Sequence, residues 1–307
     1  MLLTTLANVK LWLMPAGGTP NTTSDALLNQ LIARCSAQIL AAINRPDLTQ
    51  TTFTDTFDGV PPSGRMMLQN WPVLSVSSVS VNNTTIPPSQ VRGSSGWTLE
   101  SWDGSLPGIP QRVGITGYGQ RCGNQPGYSP ANIGIAPNGT LAATFGSWGS
   151  GNFQNVAITY TAGYVISGET QTIPNDSTYK VTPNQPQGIW AADSGVTFKS
   201  NGVALVPVAS NPVTGQYVPP QPWAASPTTS YQFAAADAGK QVVLNYSFIP
   251  YGLEQGCIEW VGERFRYKDR IGLRSQTIMG QETTSYQLGM PDVVSQFIMP
   301  YATPFPL

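Results

Sequence analysis

The stretch TTSDALLNQLIARCSAQILAAINRP, residues 22–46, has the apolar spacing of an amphipathic helix. Thr23 or Ser24 can cap its first turn. Pro46 ends it, because the residue before a proline disfavours helical backbone angles. We therefore predict a helix over residues 24–44. Its apolar side chains fall on one stripe: Leu28, Leu31, Ile32, Cys35, Ile39, Ala42 and Ile43.

The regions on either side of this helix predict an α+β fold. Residues 4–14 and 251–269 repeat apolar side chains at three- and four-residue intervals, which predicts two more helices. From residue 51 the pattern alternates as strands do, with a slip of phase at Ser77-Ser78 that indicates a β-bulge. We expect a small helical core, with two N-terminal helices and one C-terminal helix, beside antiparallel strands. The predicted strands are 51–57, 65–68, 73–81 and 156–165.

Two long stretches do not fit that simple pattern. Residues 83–153 are rich in glycine and proline and predict a long irregular segment. Residues 166–249 predict a self-contained set of short strands at the spacing of a β-sandwich. Tyr-containing strands border this set on both sides, which suits an insertion with neighbouring ends. The predicted organisation is a discontinuous domain, 1–165 with 250–307, and an inserted all-β domain, 166–249.

The composition excludes several classes of function. None of the 307 residues is histidine, and charged side chains make up 10% of the chain, where about 25% is usual. Without histidine the chain cannot build Ser-His-Asp or Cys-His catalytic groups, or metal sites that need histidine. The net charge of -1 gives no overall basic field to hold nucleic acid. No run of 18 apolar residues occurs, so we expect no membrane partner.

The remaining reactive residues do not form a recognisable catalytic or metal site. Asp55 and Asp58 are the nearest interesting carboxylates, and we interpret them as a strand end and its turn rather than a glycosidase pair. The cysteines Cys35, Cys122 and Cys257 are odd in number and widely spaced, which is not a disulfide framework. We place Cys35 and Cys257 in the core. We expect no catalytic residue, no metal, no cofactor and therefore no enzyme.

A basic cluster surrounds the end of the third predicted helix. It could be a solvated helix terminus, where cations interact favourably with the helix dipole. It could instead contact an acidic partner or DNA phosphates, to which arginine donates two parallel hydrogen bonds. Glu259, Glu263 and Asp269 lie within it, which argues against a purely DNA-binding stripe. The cluster consists of Arg264, Arg266, Lys268, Arg270 and Arg274.

Several tryptophans leave a further alternative open. They could stack against sugars, cover small β cores or pack against neighbouring subunits. These residues are Trp97, Trp102, Trp148, Trp190 and Trp223.

The order of the helical and strand motifs resembles the head-to-tail connector, or adaptor, proteins of tailed bacteriophages. Together the motifs span a little under half of the chain, and none is catalytic. The sequence departs from the family pattern at about 84–144, which is longer than usual, and at 166–249, which resembles a β module of phage structural proteins. The motifs are LTTLANVKLWL (3–13), the helix at 22–46, DTFDGVPPSGRMMLQNWPVLSVSSVSVN (55–82), FQNVAITYTAGY (153–164) and IPYGLEQGCIEWVGERFRYKDRIGLRSQTIMGQETTSYQ (249–287).

The resemblance implies a structural protein of the virion neck, made in the host cytoplasm. It implies a homo-oligomeric ring, typically of twelve copies, between the portal protein and the tail or a second connector protein. Such a ring extends the DNA channel, so the basic cluster would contact a subunit, the portal or, without sequence preference, packaged DNA. The family's C-terminal segment commonly reaches a partner. Its apolar anchors here would be Phe297, Ile298, Met299, Tyr301 and Phe305.

A second hypothesis assigns binding to the inserted module. In that alternative the protein belongs to the tail or baseplate and uses residues 166–249 to contact host glycans. The alternative predicts loss of glycan binding when the module is changed, whereas an adaptor would still form rings.

Overall fold

The computed structural model describes most of the chain. The described residues are 1–14, 22–58, 65–89, 96–101, 110–116, 133–135, 141–143, 154–224, 226–267, 275–278, 282–285 and 289–302.

Four helices lie in the described residues, close to where the apolar spacing predicts them. Thr5 caps the first, since its hydroxyl oxygen accepts a hydrogen bond from the Asn8 amide at 3.3 Å. Ser24 precedes the second but makes no side-chain capping bond. The fourth lies near the C-terminus. The helices are α1 (Leu6–Leu13), α2 (Asp25–Ala42), α3 (Tyr251–Tyr267) and α4 (Asp292–Ile298).

The strands confirm the predicted α+β class and are predominantly antiparallel. The first nine are β1 (Thr51–Phe57), β2 (Arg65–Met67), β3 (Val73–Val81), β4 (Thr84–Ile86), β5 (Gly96–Ser101), β6 (Pro110–Thr116), β7 (Ile133–Ile135), β8 (Leu141–Ala143) and β9 (Val156–Ala162). The others are β10 (Val165–Thr172), β11 (Lys180–Val181), β12 (Gly188–Phe198), β13 (Val206–Pro207), β14 (Gln216–Val218), β15 (Tyr231–Phe233), β16 (Gln241–Pro250), β17 (Ser275–Ile278) and β18 (Glu282–Ser285).

Internal contacts divide the chain into two compact units. Unit 1 contains residues 1–49 and 164–307, and unit 2 contains residues 50–163. The helices and the strands of the predicted insertion thus belong to one unit. This division differs from the predicted domain boundaries. Those boundaries mark where the module is inserted in the sequence, whereas the two units are defined by which segments pack together.

Unit 2 is built around a four-stranded sheet in the order β1-β9-β3-β4. Strand β9 alternates buried and half-buried side chains, and Val156, Ile158 and Tyr160 are fully buried in its core. The register of β3 against β9 shifts between Val76 and Ser78, which confirms the predicted bulge. The prediction of an irregular segment over 83–153 is wrong in part, because β4 to β8 lie within it.

The module of unit 1, residues 165–250, contains two sheets that share one core. Their orders are β10-β16-β12 and β11-β15-β14-β13. Side chains of both sheets, such as Leu244 on β16 and Phe233 on β15, belong to the same buried cluster. Strand β16 ends at Pro250 and α3 begins at Tyr251, so the module leads directly into the helices. This continuity ties the position of α3 to the sheets.

Candidate functional site

The helices of unit 1 pack around α3 at positions where it carries glycine. A Cβ atom built at Gly262 would lie 3.5 Å from Leu13 Cδ2 of α1, and one at Gly256 would lie 3.4 Å from Phe297 Cβ of α4. Six residues separate these glycines, which corresponds to about 120° around the helix and about 9 Å along it. The two short helices α1 and α4 therefore contact different sides of α3.

The two described members of the basic cluster, Arg264 and Arg266, lie on different faces of α3. Arg264 is half-buried, and its guanidinium carbon lies 5.9 Å from the centroid of the Trp260 ring. Arg266 is exposed and lies about 200° further around the helix. Of the two, Arg266 is the one whose charge faces solvent. Lys268, Arg270 and Arg274 lie outside the described residues.

The predicted C-terminal anchors are largely used within the chain. Ile298 is buried against α3, and Phe297 is half-buried beside Gly256. The Tyr301 ring lies 6.1 Å from the Tyr164 ring and contacts Gly252. Met299, by contrast, is 75% exposed. Phe305 lies outside the described residues.

Helix α1 also exposes two large apolar side chains. Its fully buried residue is Val9, whereas Leu11 is 71% exposed and Trp12 is 52% exposed. Neither lies on the apolar repeat of this helix, which consists of Leu6, Val9 and Leu13. The signal that could have found them is the pair of adjacent bulky apolar residues off that repeat.

A groove of about 1010 Å³ lies between α1, α2 and the module. Leu6 and Leu11 of α1 and Ile32 of α2 line one side, and the proline-rich loop containing Trp223 lines the other. The ammonium of Lys10, at its edge, lies 2.5 Å from a carboxylate oxygen of Asp25. The groove is thus mainly apolar, and its lysine is already paired.

A buried carboxylate joins α1 to the first turn of α3. Glu254 is 6% exposed, and its Oε1 accepts hydrogen bonds from Asn8 Nδ2 at 2.6 Å and Thr4 Oγ1 at 3.4 Å. Burial raises the pKa of this carboxyl, and the two hydrogen bonds act in the opposite direction. Glu254 thus links α1 to α3 through a buried carboxyl group.

The other candidate reactive residues have structural roles. Asp55 accepts a hydrogen bond from the Tyr160 hydroxyl at 2.6 Å, and Asp58 accepts one from the Gln154 amide. Cys35 and Cys257 are buried as predicted, and burial raises the pKa of their thiols to about 11 and about 12. Cys122 lies outside the described residues.

The candidate tryptophans that the structure describes, Trp97, Trp190 and Trp223, have separate surroundings. Trp190 is buried, and its indole N–H donates to the Tyr231 hydroxyl at 3.0 Å. Trp97 packs against the core of unit 2, and Trp223 lines the groove. Trp102 and Trp148 lie outside the described residues.

Comparison with known proteins adds no relative to these observations. No protein-family model matches the chain, and no curated protein matches it either. Within the described residues, no helix is both long and apolar enough to cross a bilayer. In the same part of the chain, no three carboxylate or cysteine side chains are grouped so that they could hold a metal ion.

Proposed function

We propose that this protein is a structural component of a bacteriophage neck, the adaptor between portal and tail. It would act without catalysis, as a homo-oligomeric ring that extends the DNA channel, with twelve copies as the expected number. The order of its sequence motifs suggests this role. The observation that carries the proposal is the exposed apolar surface of the helices in unit 1.

That exposed surface includes three large apolar side chains. Leu11, Trp12 and Met299 are each more than half exposed, and all three lie on short helices or their ends. Burying such side chains contributes about 25 cal/mol per Å² of apolar area. A protein that assembles with copies of itself and with a portal would recover this free energy at its interfaces.

The role of the basic residues follows from the same proposal. Arg266 is exposed near the end of α3 and would contact a subunit or the portal protein. If it faced the channel instead, it would contact DNA phosphates without reading sequence. Charge reversal at Arg266 separates these cases, because the first changes assembly and the second changes DNA retention.

The test is to mix the purified protein with the portal protein of the same phage and to image the product by negative-stain electron microscopy. Rings stacked on the narrow end of the portal are the expected result. The protein alone and the portal alone are the controls. Particles that do not bind the portal at micromolar concentrations of both proteins would overturn the proposal.

A second candidate function, glycan binding, is favoured by Trp223 in the groove. An indole and the nearby amide of Asn29 are groups that commonly contact sugars. Removing residues 166–249 is a poor test, because the module shares a compact unit with the helices. Trp223→Ala is a better test. Binding of the wild type on a glycan array that the variant abolishes would support this candidate. No binding by the wild type, or equal binding by the variant, would reject it.

A further inference from the structure

Two surfaces of the helical region carry complementary chemistry. The basic patch consists of Leu11 and Trp12 of α1 with Arg266 of α3. The acidic patch consists of Asp292, Val293 and Gln296 of α4 with Met299. We propose that the basic patch of one copy binds the acidic patch of the next copy in the ring. This inference rests on the proposed function and names the contact that would close the ring.

The basic patch is held together by the packing of α1 on α3. The Trp12 indole lies 3.7 Å from where a Cβ atom at Gly262 would be. Arg266 follows Gly262 by four residues and so lies on the same face of α3, one turn further on. Leu11, which is 71% exposed, extends the patch along α1. A cation thus borders two exposed apolar side chains.

The acidic patch is the outer face of α4. Val294 and Ile298 are buried on the side that faces α3. Asp292, Gln296 and Met299 follow the opposite side at helical spacing, and all three are exposed. Val293, at its margin, is 51% exposed. A carboxylate in the first turn thus borders two exposed apolar side chains, matching the chemistry of the basic patch.

The placement of the patches favours a second copy as the occupant. They belong to helices that contact α3 about 120° apart, so both can be engaged at once. Two different patches that bind each other form a heterologous contact, which makes a ring when the rotation closes. Pairing of the basic patch with itself would instead bring two Arg266 side chains together. The net charge of -1 adds little repulsion between copies.

Cysteine cross-linking of the full chain tests the contact directly. The variant carries Leu11→Cys and Met299→Cys together in a Cys122→Ser background, and native Cys35 and Cys257 are buried. Mild oxidation should give a ladder of covalent oligomers that collapses on reduction. Each single-cysteine variant should give no ladder. Dimers formed efficiently by either single variant would show an isologous contact and overturn the proposal.

Charge exchange provides an independent readout. Arg266→Glu and Asp292→Arg should each raise the concentration needed for assembly about tenfold, because each brings like charges together. The double variant should restore assembly towards the wild-type concentration. Val206→Ser is the matched control, since Val206 is 56% exposed but lies in the module. Circular dichroism checks that each variant is folded, and failure of the double variant to restore assembly would contradict the pairing.

The outcomes separate this inference from the proposed function. Rings that stack on the portal but give no cysteine ladder would overturn the contact and leave the adaptor function intact. A ladder of covalent oligomers from a protein that does not bind the portal would support the contact and overturn the adaptor function. If neither portal-bound rings nor a cysteine ladder were observed, both the adaptor function and the contact would be overturned.

Discussion

The helices and the module of unit 1 differ in where their largest side chains lie. In the module, Tyr217, Tyr231 and Phe233 are almost completely buried in one core. On the helices, Trp12 and Met299 are more than half exposed. The exposed large apolar side chains that the structure describes in the module are valines, and no aromatic is among them. The module thus buries its aromatic side chains in its own core, whereas the helices leave Trp12 and Met299 exposed.

The polar groups of the two regions differ in the same way. In the module, Asp193 accepts hydrogen bonds from the hydroxyls of Tyr217 and Tyr231, and Tyr231 also accepts one from Trp190. The buried carboxylate between the helices, Glu254, accepts from Asn8 and Thr4. The module network fixes aromatic rings in one arrangement. The helical contact instead buries one carboxyl whose pKa is raised by that burial.

The largest effect is expected from Gly188→Ala in the module. A Cβ atom at Gly188 would lie 2.0 Å from the Ile249 carbonyl oxygen, so the backbones of β12 and β16 would have to separate. We expect a loss of about 3 kcal/mol in the free energy of unfolding. Urea unfolding followed by tryptophan fluorescence measures it, and a loss below about 1 kcal/mol would contradict this account of the sheet.

A smaller loss is expected from Tyr231→Phe. The change removes the acceptor of the buried Trp190 N–H and one donor to Asp193, which should cost about 2 kcal/mol. Tyr251→Phe is the matched control, because the Tyr251 hydroxyl donates to the Gln185 carbonyl at an exposed position. The control should cost less than about 0.5 kcal/mol. Equal losses in the free energy of unfolding of the two variants would show that the buried network does not stabilise the module.

The next effect depends on pH and concerns the helices. The pKa of Glu254 is raised in the folded state, so its protonated form favours folding. That contribution is complete below the pKa of the unfolded chain, about 4.3, and is lost as pH rises through the higher folded value. Glu254→Gln keeps an acceptor for Asn8 and stays uncharged at every pH, so it does not lose this stabilisation as the pH rises. The variant should therefore be more stable than wild type at pH 7.

Unfolding midpoints measured between pH 3 and pH 8 test this prediction. The difference between Glu254→Gln and wild type should shrink towards zero at pH 3, where the wild-type carboxyl is protonated in both states. Glu259→Gln is a control on the same helix, at a residue that is half-buried and accepts a hydrogen bond from Gln255. A variant less stable than wild type at pH 7 would show that the charged form of Glu254 is the favourable one.

Much of the fold could be predicted from local pattern. The stripe of α2 places Leu28, Ile32, Cys35 and Ile39 in the core, where the structure buries them. The bulge at Ser77-Ser78 could be predicted because apolar alternation changes phase there. Strand β10 is not predictable from local pattern, because its sequence VISGETQT is mostly polar and half-exposed. Its position depends on hydrogen bonds to β16, which lies about 75 residues later in the chain.

The candidate site was less predictable for a physical reason. Which side of α1 faces solvent depends on Gly262, a residue about 250 positions later that lets Leu13 and Trp12 approach α3. Apolar character marks the C-terminal anchors in the sequence, but it does not distinguish Ile298, which packs on α3, from Met299, which faces outward. Helical spacing in α4 separates the two only once the position of α3 is known.

The smallest effect, and one of opposite sign, is expected from Gly262→Ala. The added methyl group is the same as in Gly188→Ala, but here its nearest neighbours are side-chain atoms of Leu13 and Trp12 at 3.5 Å and beyond, which is ordinary contact. Replacing glycine by alanine within a helix favours folding by about 0.5–1 kcal/mol, because the unfolded chain loses freedom.

The variant should therefore unfold at a slightly higher urea concentration than wild type. Measurement below the concentration of assembly keeps contacts between copies out of the comparison. A destabilised Gly262→Ala would mean that α1 is packed against α3 as tightly as β12 is against β16. The packing of the helices would then be as intolerant of an added methyl group as that of the module, and the proposed contact surface of Leu11 and Trp12 would lose this support.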